Sequence, residues 1–438
     1  MGVPISKTGV TIAKDQAFFD DRRRQGMNAI ELFAGAGGLG LGVSFAGFKP
    51  IVVVEWDKWA CDTIRENQAC GYPLVKDWPL HEGDVREWIR EFNPKAINGD
   101  VDLVAGGPPC QPFSMGGKHK AHRDQRDMFP SAVEVVRKCQ PRAFIIENVK
   151  GLTRSSFANY YQYILLQFEF PEIISKPDES WREHYERLQV VKTSAGRGAG
   201  TIGLRYNVVP TLVNAASYGI PQRRERVFII GFRSDLNVQW SFPIETHSLD
   251  ALLTDQWVTG EYWDRHGIST RRRPTLTTSL AQKVERLRGL RLPPTRQPWR
   301  TVRDALMDLP EPSTRGEHPV YLNHRFQDGA RAYPGHTGSP LDMPAKTLKA
   351  GDHGVPGGEN MMVRENGELR YFSVRESARL QTFPDGFVFH GSWTETMRQL
   401  GNAVPVALAH FVAASVAEKL IETRMSQTKF SRQKAVSR

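Results

Sequence analysis

The chain has 438 residues, 40% hydrophobic and 24% charged, a composition typical of a globular protein with two or three domains. No apolar run approaches the roughly 18 residues of a membrane span. Four cysteines without a Cys-x-x-Cys pair, and no His pair at zinc spacing, exclude a disulfide scaffold and give no reason to expect a metal. A reducing compartment is therefore predicted.

The net charge of +10 is concentrated in two stretches. Ten Lys or Arg residues and a single acid, Glu285, lie between Arg271 and Arg303, and five more basic residues without an acid lie between Arg424 and Arg438. Such concentrated charge suits a polyanion such as nucleic acid, although a solvated basic face has the same pattern. Charge alone leaves both interpretations open.

Short apolar, β-prone runs alternate with helix-like segments between residues 28 and 231. The candidate strands are Ala29–Phe33, Ile51–Val54, Val101–Ala105, Ala143–Ile146, Val208–Val213 and Val227–Ile230. Helical patterns lie between many of them, as at Trp59–Gln68 and Ser131–Lys138. Repeated strand–helix units predict an α/β domain with a mostly parallel sheet.

The pattern changes from about Ser234 to Arg370, where Pro, Gly, Thr and Arg become frequent and no long helical period persists. We expect a second, smaller domain there that is irregular or β-rich. Helical patterns return at Ser373–Gln381 and Val404–Thr423, and the basic end of the chain is expected to be disordered.

The first predicted strand leads into a glycine turn. Gly35, Gly37 and Gly40 satisfy G-x-G-x-x-G, and Glu55 follows Gly35 by twenty residues. In nucleotide-binding α/β folds such glycines let the backbone approach the ligand, and the acid accepts hydrogen bonds from ribose hydroxyls. The pattern fits NAD, FAD or S-adenosylmethionine, and a plain packing turn has it too.

Two more residues support a nucleotide site. The ring of Trp56, directly after Glu55, is suited to lie on an adenine, and Asp84, after a third strand, is suited to accept from an adenine amino group. A core tryptophan and a loop aspartate remain the alternatives.

A cysteine stands where another predicted strand ends, in the segment Val104–Ser114 (VAGGPPCQPFS). Ligands bind at the carboxyl ends of parallel strands, so Cys110 is expected to face the same crevice as the glycine turn. The flanking prolines fix backbone torsions and would hold the thiol in place. A lone cysteine is usually a small buried apolar residue, but this setting favours a nucleophile.

The glycine turn and the cysteine segment together resemble the DNA (cytosine-5)-methyltransferase family. Four further blocks follow in the family's order: Glu147–Val149, Gln222–Arg226, Arg375–Pro384 and Gly401–Pro405. The resemblance implies an S-adenosylmethionine-dependent methyltransferase (Rossmann-like) domain with a smaller target-recognition domain.

The resemblance also implies the chemistry. Cys110 would add as a thiolate to carbon 6 of a flipped-out cytosine, so that carbon 5 can take a methyl group. Glu147 would contact ring nitrogen 3 and the exocyclic amine in its protonated form, which requires a raised pKa. Arg226 matches the family arginine at the cytosine oxygen, and Arg224 is predicted beside it on the same strand face. Ion-pair scaffolding is the alternative for both arginines.

The cofactor, S-adenosylmethionine, is assigned by the same resemblance to residues near both ends of the chain. They are Phe33, Gly35, Gly37, Gly38, Glu55, Trp56, Asp84, Val85, Phe129, Asn402 and Ala403. Phe129 stands where the family usually has leucine, so an apolar contact is kept. No metal is expected.

The segment Ser114–Asp127 resembles the family's mobile catalytic loop, with Gly116 and Gly117 as hinges. Lys118, Lys120 and Arg123 are available there for DNA phosphates. The predicted core of target recognition is His336–Pro340 with Thr347–Asp352, but the recognised DNA sequence is left open.

The predicted boundaries follow these blocks. They are an N-terminal extension (1–27), a catalytic and cofactor-binding domain (28–233), a target-recognition domain (234–370), a return to the catalytic domain (371–423) and a basic tail (424–438).

This organisation resembles bacterial restriction–modification enzymes. It implies double-stranded DNA as partner, no membrane, a cytoplasmic location, monomeric action and a restriction endonuclease acting separately. A dehydrogenase would leave the cysteine block and Glu147 unexplained. A transfer-RNA cytosine-5 methyltransferase would carry a Cys-Phe-Thr motif, whereas no cysteine follows Cys139. An inactive DNA-binding relative would not need Cys110, Glu147 and Arg226.

Overall fold

The computed structural model describes residues 26–94, 99–109, 127–196, 203–334, 337–350 and 360–436. The chain divides into two compact units. The sheet unit contains the described residues before Asn214, the stretch Glu225–Pro243 and the residues after Leu408. The second unit contains Asn214–Arg224 and Ile244–Leu408.

A seven-stranded sheet forms the centre of the sheet unit, in the order β3-β2-β1-β4-β5-β7-β6. Its strands are β1 (Met27–Leu32), β2 (Phe48–Glu55), β3 (Leu80–Glu82), β4 (Val101–Gly106), β5 (Ala143–Val149), β6 (Tyr206–Asn214) and β7 (Glu225–Arg233). The first five strands pair in parallel, and β7 runs antiparallel to β5. The six predicted strands with stated bounds are all present, and β3 is the third strand that was expected before Asp84 without bounds.

Helices follow the parallel strands, as the alternating pattern predicts. They are α1 (Gly38–Phe45), α2 (Lys58–Ala69), α3 (Val85–Glu91), α4 (Phe129–Cys139), α5 (Ala158–Glu169) and α6 (Trp181–Gly196). Nearly every residue of β1 and β4 is buried, as expected of strands covered on both faces. The main apolar core joins Ile30, Val104 and Phe144 of the sheet to Phe129 of α4 and Phe168 of α5.

The last helix, α13 (Val406–Val436), runs far beyond its predicted end at Thr423, so the prediction of a disordered tail was wrong for residues 424–436. Polar contacts hold the helix to the sheet unit: Arg424 lies 2.6 Å from Oδ1 of the buried Asp102, and Arg142 donates to Oγ1 of Thr423 at 2.9 Å. The close approach of α1 requires Gly42, because a Cβ there would lie 2.4 Å from the Cβ of Ala409.

One segment of the described residues, Trp393–Ser426, is long and apolar enough to cross a membrane by composition. In the structure 67% of its most apolar 18-residue window is buried within the protein. Core helices of globular proteins share this composition, so the segment is weak evidence for a span.

The second unit has short elements. Its helices are α7 (Leu249–Thr254), α8 (Glu261–Arg265), α9 (Thr278–Arg288), α10 (Val302–Leu306), α11 (Val374–Leu380) and α12 (Trp393–Asn402). Its strands are β8 (His247–Ser248), β9 (Gln297–Pro298), β10 (Ser339–Pro340), β11 (Met361–Val363) and β12 (Leu369–Tyr371). With strands of two or three residues this unit is irregular, as predicted, but not β-rich.

The predicted boundaries differ from the compact units. Residues 214–224, predicted in the catalytic domain, belong to the second unit, and residues 234–243, predicted in the target-recognition domain, belong to the sheet unit. Residues 371–408 were expected to return to the catalytic domain, but α11 and α12 belong to the second unit. The return begins at Ala409, within α13. The physical reason is that buried polar side chains of α11 bond to the second unit, as Arg375 does to the carbonyl oxygen of Leu322 at 3.1 Å.

Candidate active site

The glycine turn and the cysteine segment leave neighbouring strands at the same edge of the sheet. Leu32, at the end of β1, pairs with Gly106, at the end of β4. A Cβ on Gly106 would lie 2.8 Å from the carbonyl oxygen of Leu32, so glycine is needed for this approach. In sheets of this order the crevice outside these strand ends is the ligand site.

The glycine turn has an unusual backbone. Gly35 and Gly37 have φ values of +55° and +87°. Phe33 has a φ of +54°, which residues other than glycine rarely adopt. A Cβ on Gly37 would lie 2.9 Å from the ring of Trp78, whereas one on Gly35 would meet nothing within 4 Å. The turn is therefore packed on one side and open at Gly35, and Gly38 begins α1.

Glu55 ties this turn to the end of β2. Its Oε2 accepts from the backbone N–H of Gly35 at 2.7 Å, and Oε1 accepts from those of Trp56 and Asp57 at 2.9 and 2.7 Å. Burial raises the pKa of Glu55, while these N–H groups oppose the shift. A carboxylate has about four acceptor positions, so one remains for a ribose hydroxyl. The role in holding the turn is one that the sequence analysis missed.

Two other predicted cofactor residues lie beside this edge. The side chain of Trp56 is 70% exposed, which offers a flat apolar surface to a ligand. Asp84 caps α3, and its carboxylate accepts from the backbone N–H of Arg86 at 2.7 Å and from its guanidinium. These bonds to Arg86 lower the pKa of Asp84 and keep it an acceptor. Val85, next to it, is buried.

Phe129 lies at the start of α4 with no exposed surface, packed in the main core. Its burial does not support the predicted contact with the cofactor. Its backbone N–H donates to Oδ1 of Asp127 at 3.2 Å, and Asp127 also accepts from the hydroxyl of Tyr160. These contacts fix the chain at the start of α4.

Glu147 and Arg226 form a buried ion pair. Glu147 lies in β5 and Arg226 in the adjacent antiparallel β7, and Nε of the arginine is 2.8 Å from Oε1 of the glutamate. The two side chains are 9% and 10% exposed. Burial lowers the pKa of Arg226, and Glu147 opposes the shift. The prediction that these two residues meet rested on resemblance alone, because 79 residues separate them.

The pair lies against the cysteine segment. A Cβ on Gly107 would be 3.2 Å from Oε2 of Glu147, so the glycine lets the backbone touch the carboxylate. Next to it, Asn148 is buried and donates from Nδ2 to the carbonyl oxygen of Pro108 at 2.9 Å. Asn148 thus fixes the chain that leads into Cys110, which the sequence analysis missed. Cys110 itself lies outside the described residues.

Arg224 lies in the second unit, before the start of β7, and not on the strand face of Arg226. It has no exposed surface. Its guanidinium donates to the carbonyl oxygens of Leu348, Gly401 and Ala403 at 3.0, 2.6 and 2.9 Å. These contacts favour the scaffolding alternative over contact with a base.

Of the remaining predicted site residues, one is exposed, one is buried and others lie outside the described residues. Asn402 is exposed at the end of α12, and Ala403 is buried after it. His336, residues 351–352 and the loop with Lys118, Lys120 and Arg123 lie outside the described residues. In the part of the chain that is described, no group of three His, Cys, Asp or Glu could hold a metal ion.

Two solved structures share this fold at low sequence identity. A DNA modification methyltransferase encoded within an E. coli prophage has a TM-score of 0.53, 20% identity and coverage of 90% of this chain and 99% of that chain. The S. pombe Dnmt2 methyltransferase has a TM-score of 0.50 and 17% identity, and the match covers 90% of this chain and 99% of that chain. The predicted α/β fold of S-adenosylmethionine-dependent methyltransferases is confirmed.

The sequence also matches the family model of the C-5 cytosine-specific DNA methylases over residues 27–171 and 199–418, which is most of the chain. The protein belongs to this family, as the order of the blocks indicated.

Individual relatives match along most of their length. The type II methyltransferase M.PspPI of Psychrobacter sp. is 31% identical over 401 residues, 89% of this chain and 79% of that protein. M.Eco47II of Escherichia coli is 30% identical over 406 residues, with the same two coverages. M.HhaI of Haemophilus parahaemolyticus is 28% identical over 406 residues, 91% of this chain and 97% of that protein.

Proposed function

We propose that this methylase transfers a methyl group from S-adenosylmethionine to carbon 5 of one cytosine within a short duplex DNA sequence. The observation that carries the proposal is the buried Glu147–Arg226 pair against Gly107 and Pro108. A carboxyl group and a guanidinium at one buried place complement the polar edge of a cytosine, which presents a nitrogen, an amine and a carbonyl oxygen.

The residues at the ends of β1, β2 and β3 fit S-adenosylmethionine. Glu55 has an acceptor position left for ribose, Trp56 offers an exposed ring for adenine, and Asp84 offers an acceptor for the adenine amino group. The open side of Gly35 leaves room for the ligand to approach the backbone. When bound, this cofactor supplies the electrophilic methyl group.

The reaction begins with addition of the Cys110 thiolate to carbon 6 of the cytosine. The 5,6 double bond is lost, and the resulting enamine makes carbon 5 nucleophilic enough to take the methyl group. Loss of the proton from carbon 5 then restores the double bond and expels the thiolate. Covalent catalysis of this kind divides one difficult step into easier ones.

Glu147 and Arg226 act on the base during this addition. The two side chains lie 2.8 Å apart, so both can reach the same edge of one base. A cytosine entering the site gives Arg226 a carbonyl oxygen to bind and lets Glu147 carry the proton that neutralises nitrogen 3. Because these atoms are inaccessible in a stacked duplex, the cytosine is flipped out before the reaction.

The structure separates the arginine-rich stretch into paired and unpaired residues. Six of its ten basic residues form ion pairs and a seventh, Arg273, lies over the ring of Trp263; the six are Arg272, Lys283, Arg286, Arg288, Arg296 and Arg303. Arg271, Arg291 and Arg300 are exposed and have no ion-pair partner among the described residues. We assign these three to DNA phosphates.

Replacing Arg291 by glutamine should weaken DNA binding and reduce the slope of log affinity against log salt by about 1. Arg288→Gln is the matched control, because Glu285 already pairs with Arg288 at 3.0 Å. Fluorescence anisotropy across a salt series measures both. Equal slopes in the two variants would contradict the assignment.

The wider role follows from the type II methyltransferases that the chain is similar to. We propose that the protein acts as a monomer in the bacterial cytoplasm and protects DNA from a separate restriction endonuclease. The sequence recognised, and the cytosine within it, are to be found by bisulfite sequencing of methylated DNA.

The decisive experiment is transfer of radiolabelled methyl from S-adenosylmethionine to unmethylated duplex DNA, with Cys110→Ala and transfer RNA in parallel. Labelling of DNA by the wild type that is lost in the variant supports the proposed function. Labelling of transfer RNA alone moves the substrate to RNA, and no labelling of either leaves a binding protein.

A further inference from the structure

The outer edge of an indole ring fills one side of the glycine turn. A Cβ on Gly37 would lie 2.9 Å from Cζ3 of Trp78, and a Cβ on Gly40 would lie 2.9 Å from its Cη2. Gly40 lies within α1 and does not have a positive φ, so its backbone would accept a side chain. The ring of Trp78 is therefore what requires glycine at this position.

Trp78 is itself fixed between α2 and the sheet. Its carbonyl oxygen accepts from Nε2 of Gln68 at 2.7 Å and from the backbone N–H of Leu80 in β3 at 2.9 Å, and its own N–H donates to the carbonyl oxygen of Val75 at 2.9 Å. The residue is 4% exposed, and Nε1 has no hydrogen-bond partner among the described residues. Because an unpaired buried N–H is unfavourable, the packing of the ring is what holds the indole in this place.

The glycine turn needs support because its backbone conformation is unfavourable. Phe33, Gly35 and Gly37 all have a positive φ, which costs free energy at Phe33 and conformational entropy at the two glycines. Such a conformation persists only when surrounding contacts hold it. Two contacts do so here: Glu55 accepts from the backbone N–H of Gly35 at 2.7 Å, and Trp78 packs against Gly37.

We propose that Trp78 is a positioning residue for S-adenosylmethionine: its ring holds the glycine turn in the conformation that binds the cofactor. The inference rests on the proposed function for the identity of the ligand. A Cβ on Gly35 would meet nothing within 4 Å, so the turn stays open at this residue while the indole closes it at Gly37 and Gly40. Trp78 acts only through the turn and does not touch the cofactor.

The first test is Trp78→Phe in the full-length protein. Phenylalanine lacks both the outer edge of the indole and the unpaired Nε1, so the fold should survive while the turn loosens. If the turn then has its binding conformation for about a tenth of the time, the Kd of S-adenosylhomocysteine rises about 10-fold in titration calorimetry. The KM of S-adenosylmethionine rises by the same factor, and kcat at saturating cofactor stays within about 3-fold of the wild type. An unchanged Kd, or a fall in kcat with an unchanged KM, overturns the proposal.

Trp240→Phe is the matched control. Trp240 belongs to the same unit, but its ring contacts Phe232 of β7 and its Nε1 donates to Oγ of Ser415 at 3.3 Å. Four strands separate β7 from β3 in the sheet. The control should therefore keep the Kd of the wild type. An equal rise in Kd for both variants overturns the proposal, because the loss of any indole would then be enough.

Gly40→Ala tests the same contact from the other side. The added methyl group would lie 2.9 Å from Cη2 of Trp78 and displace the ring, so the Kd should again rise. When Trp78→Phe is combined with it, the missing edge leaves room for the methyl group, and the double variant should bind more tightly than the product of the two losses implies. Losses that simply multiply overturn the direct contact. If Trp78→Phe does not fold, Gly40→Ala keeps the indole and decides alone, since an unchanged Kd there overturns the proposal.

Hydrogen exchange of the cofactor-free protein separates this inference from the proposed function. The N–H of Gly37 donates to the carbonyl oxygen of Ala34 at 2.9 Å, and that of Leu41 donates to Gly37 at 2.8 Å. Both amides should exchange at least about 10-fold faster in Trp78→Phe than in the wild type or the control, because a looser turn opens more often. Equal exchange overturns the positioning role even if the wild type binds no cofactor. A wild type that binds S-adenosylhomocysteine but does not methylate DNA would reject the proposed function alone.

Discussion

Both units bury an arginine–glutamate pair within their described residues, and the two pairs use their groups differently. In the second unit, Arg370 binds Glu376 through two parallel bonds of 2.8 and 2.6 Å, and the side chains are 5% and 4% exposed. Glu376 also accepts from the backbone N–H of Ser373 at 2.7 Å, which caps α11. The bonds to Glu376 outweigh burial and raise the pKa of Arg370.

In the sheet unit, Arg226 approaches Glu147 through Nε alone. Its Nη1 donates to the carbonyl oxygen of Glu225 at 2.8 Å, and Nη2 has no partner among the described residues. Here burial outweighs the glutamate and lowers the pKa of Arg226. The comparison teaches that similar burial and similar partners serve two purposes: two parallel bonds fix a fold, whereas a single contact leaves donors for a ligand.

A third buried carboxylate, Glu31 of β1, has no charged partner among the described residues. Both of its oxygens lack a hydrogen-bond partner in the part of the chain that is described, and it is 1% exposed. Burial alone raises its pKa to about 8. Glu31 therefore shows what burial does to the pKa of a carboxyl group when no arginine pairs with it.

Glu147→Gln should have the largest effect on the reaction. The amide keeps the size of the side chain but cannot carry a proton to ring nitrogen 3, so kcat should fall about 10³-fold. Single-turnover methyl transfer at saturating DNA and cofactor measures this. Glu376→Gln is the control from the other pair and should keep kcat per folded molecule; full turnover by Glu147→Gln would rule out the proton role.

Arg370→Met should act on stability instead. It leaves Glu376 buried without its partner, and the free energy of unfolding should fall by about 3 kcal/mol. Urea denaturation followed by circular dichroism measures the loss. Arg364→Met, which removes a partly exposed partner of Glu311, should cost less than about 1 kcal/mol. A large fall in kcat per folded molecule for Arg370→Met would contradict the distinction between the pairs.

Arg226→Lys should lower kcat/KM for DNA about 10²-fold, because lysine keeps the charge but loses the directed donors. The affinity for S-adenosylhomocysteine should not change, since Arg226 is assigned to the cytosine. Steady-state kinetics and calorimetry separate the two effects. Equal losses in both would instead indicate a structural role for this pair as well.

Glu31→Gln should have the smallest effect, visible only in its pH dependence. Because the folded-state pKa of Glu31, about 8, lies above its ordinary value of 4.5, the folded protein holds a proton that the unfolded chain releases. Stability is therefore full below about pH 4.5 and falls as pH rises toward 8, at about 1 kcal/mol per pH unit in the wild type. The glutamine variant should lack this component in urea denaturation between pH 5 and 8; parallel curves would contradict the burial of an unpaired carboxyl.

The sequence predicted the sheet well because its strands are continuous apolar runs with turns between them. It gave no bounds for β3, because the three residues of this strand include His81 and Glu82 and carry little hydrophobic signal. It also missed α9, although Leu280, Val284 and Leu287 repeat with helical spacing. The basic residues between these apolar positions lower the hydrophobicity of the segment, so its helical period was not recognised.

The sequence by itself determined which chemical groups are present: a cysteine between prolines, a glycine turn with an acid twenty residues later, and six blocks in the order of one family. Only the tertiary structure decided what each group touches. Arg224 and Arg226 are two residues apart and look equivalent in the sequence, yet one bonds to carbonyls 124 to 179 residues away and the other pairs with Glu147 across a strand. The physical reason is that a buried polar group needs a hydrogen-bond partner, and tertiary packing decides which distant residue supplies it. The local sequence does not show which residue that is.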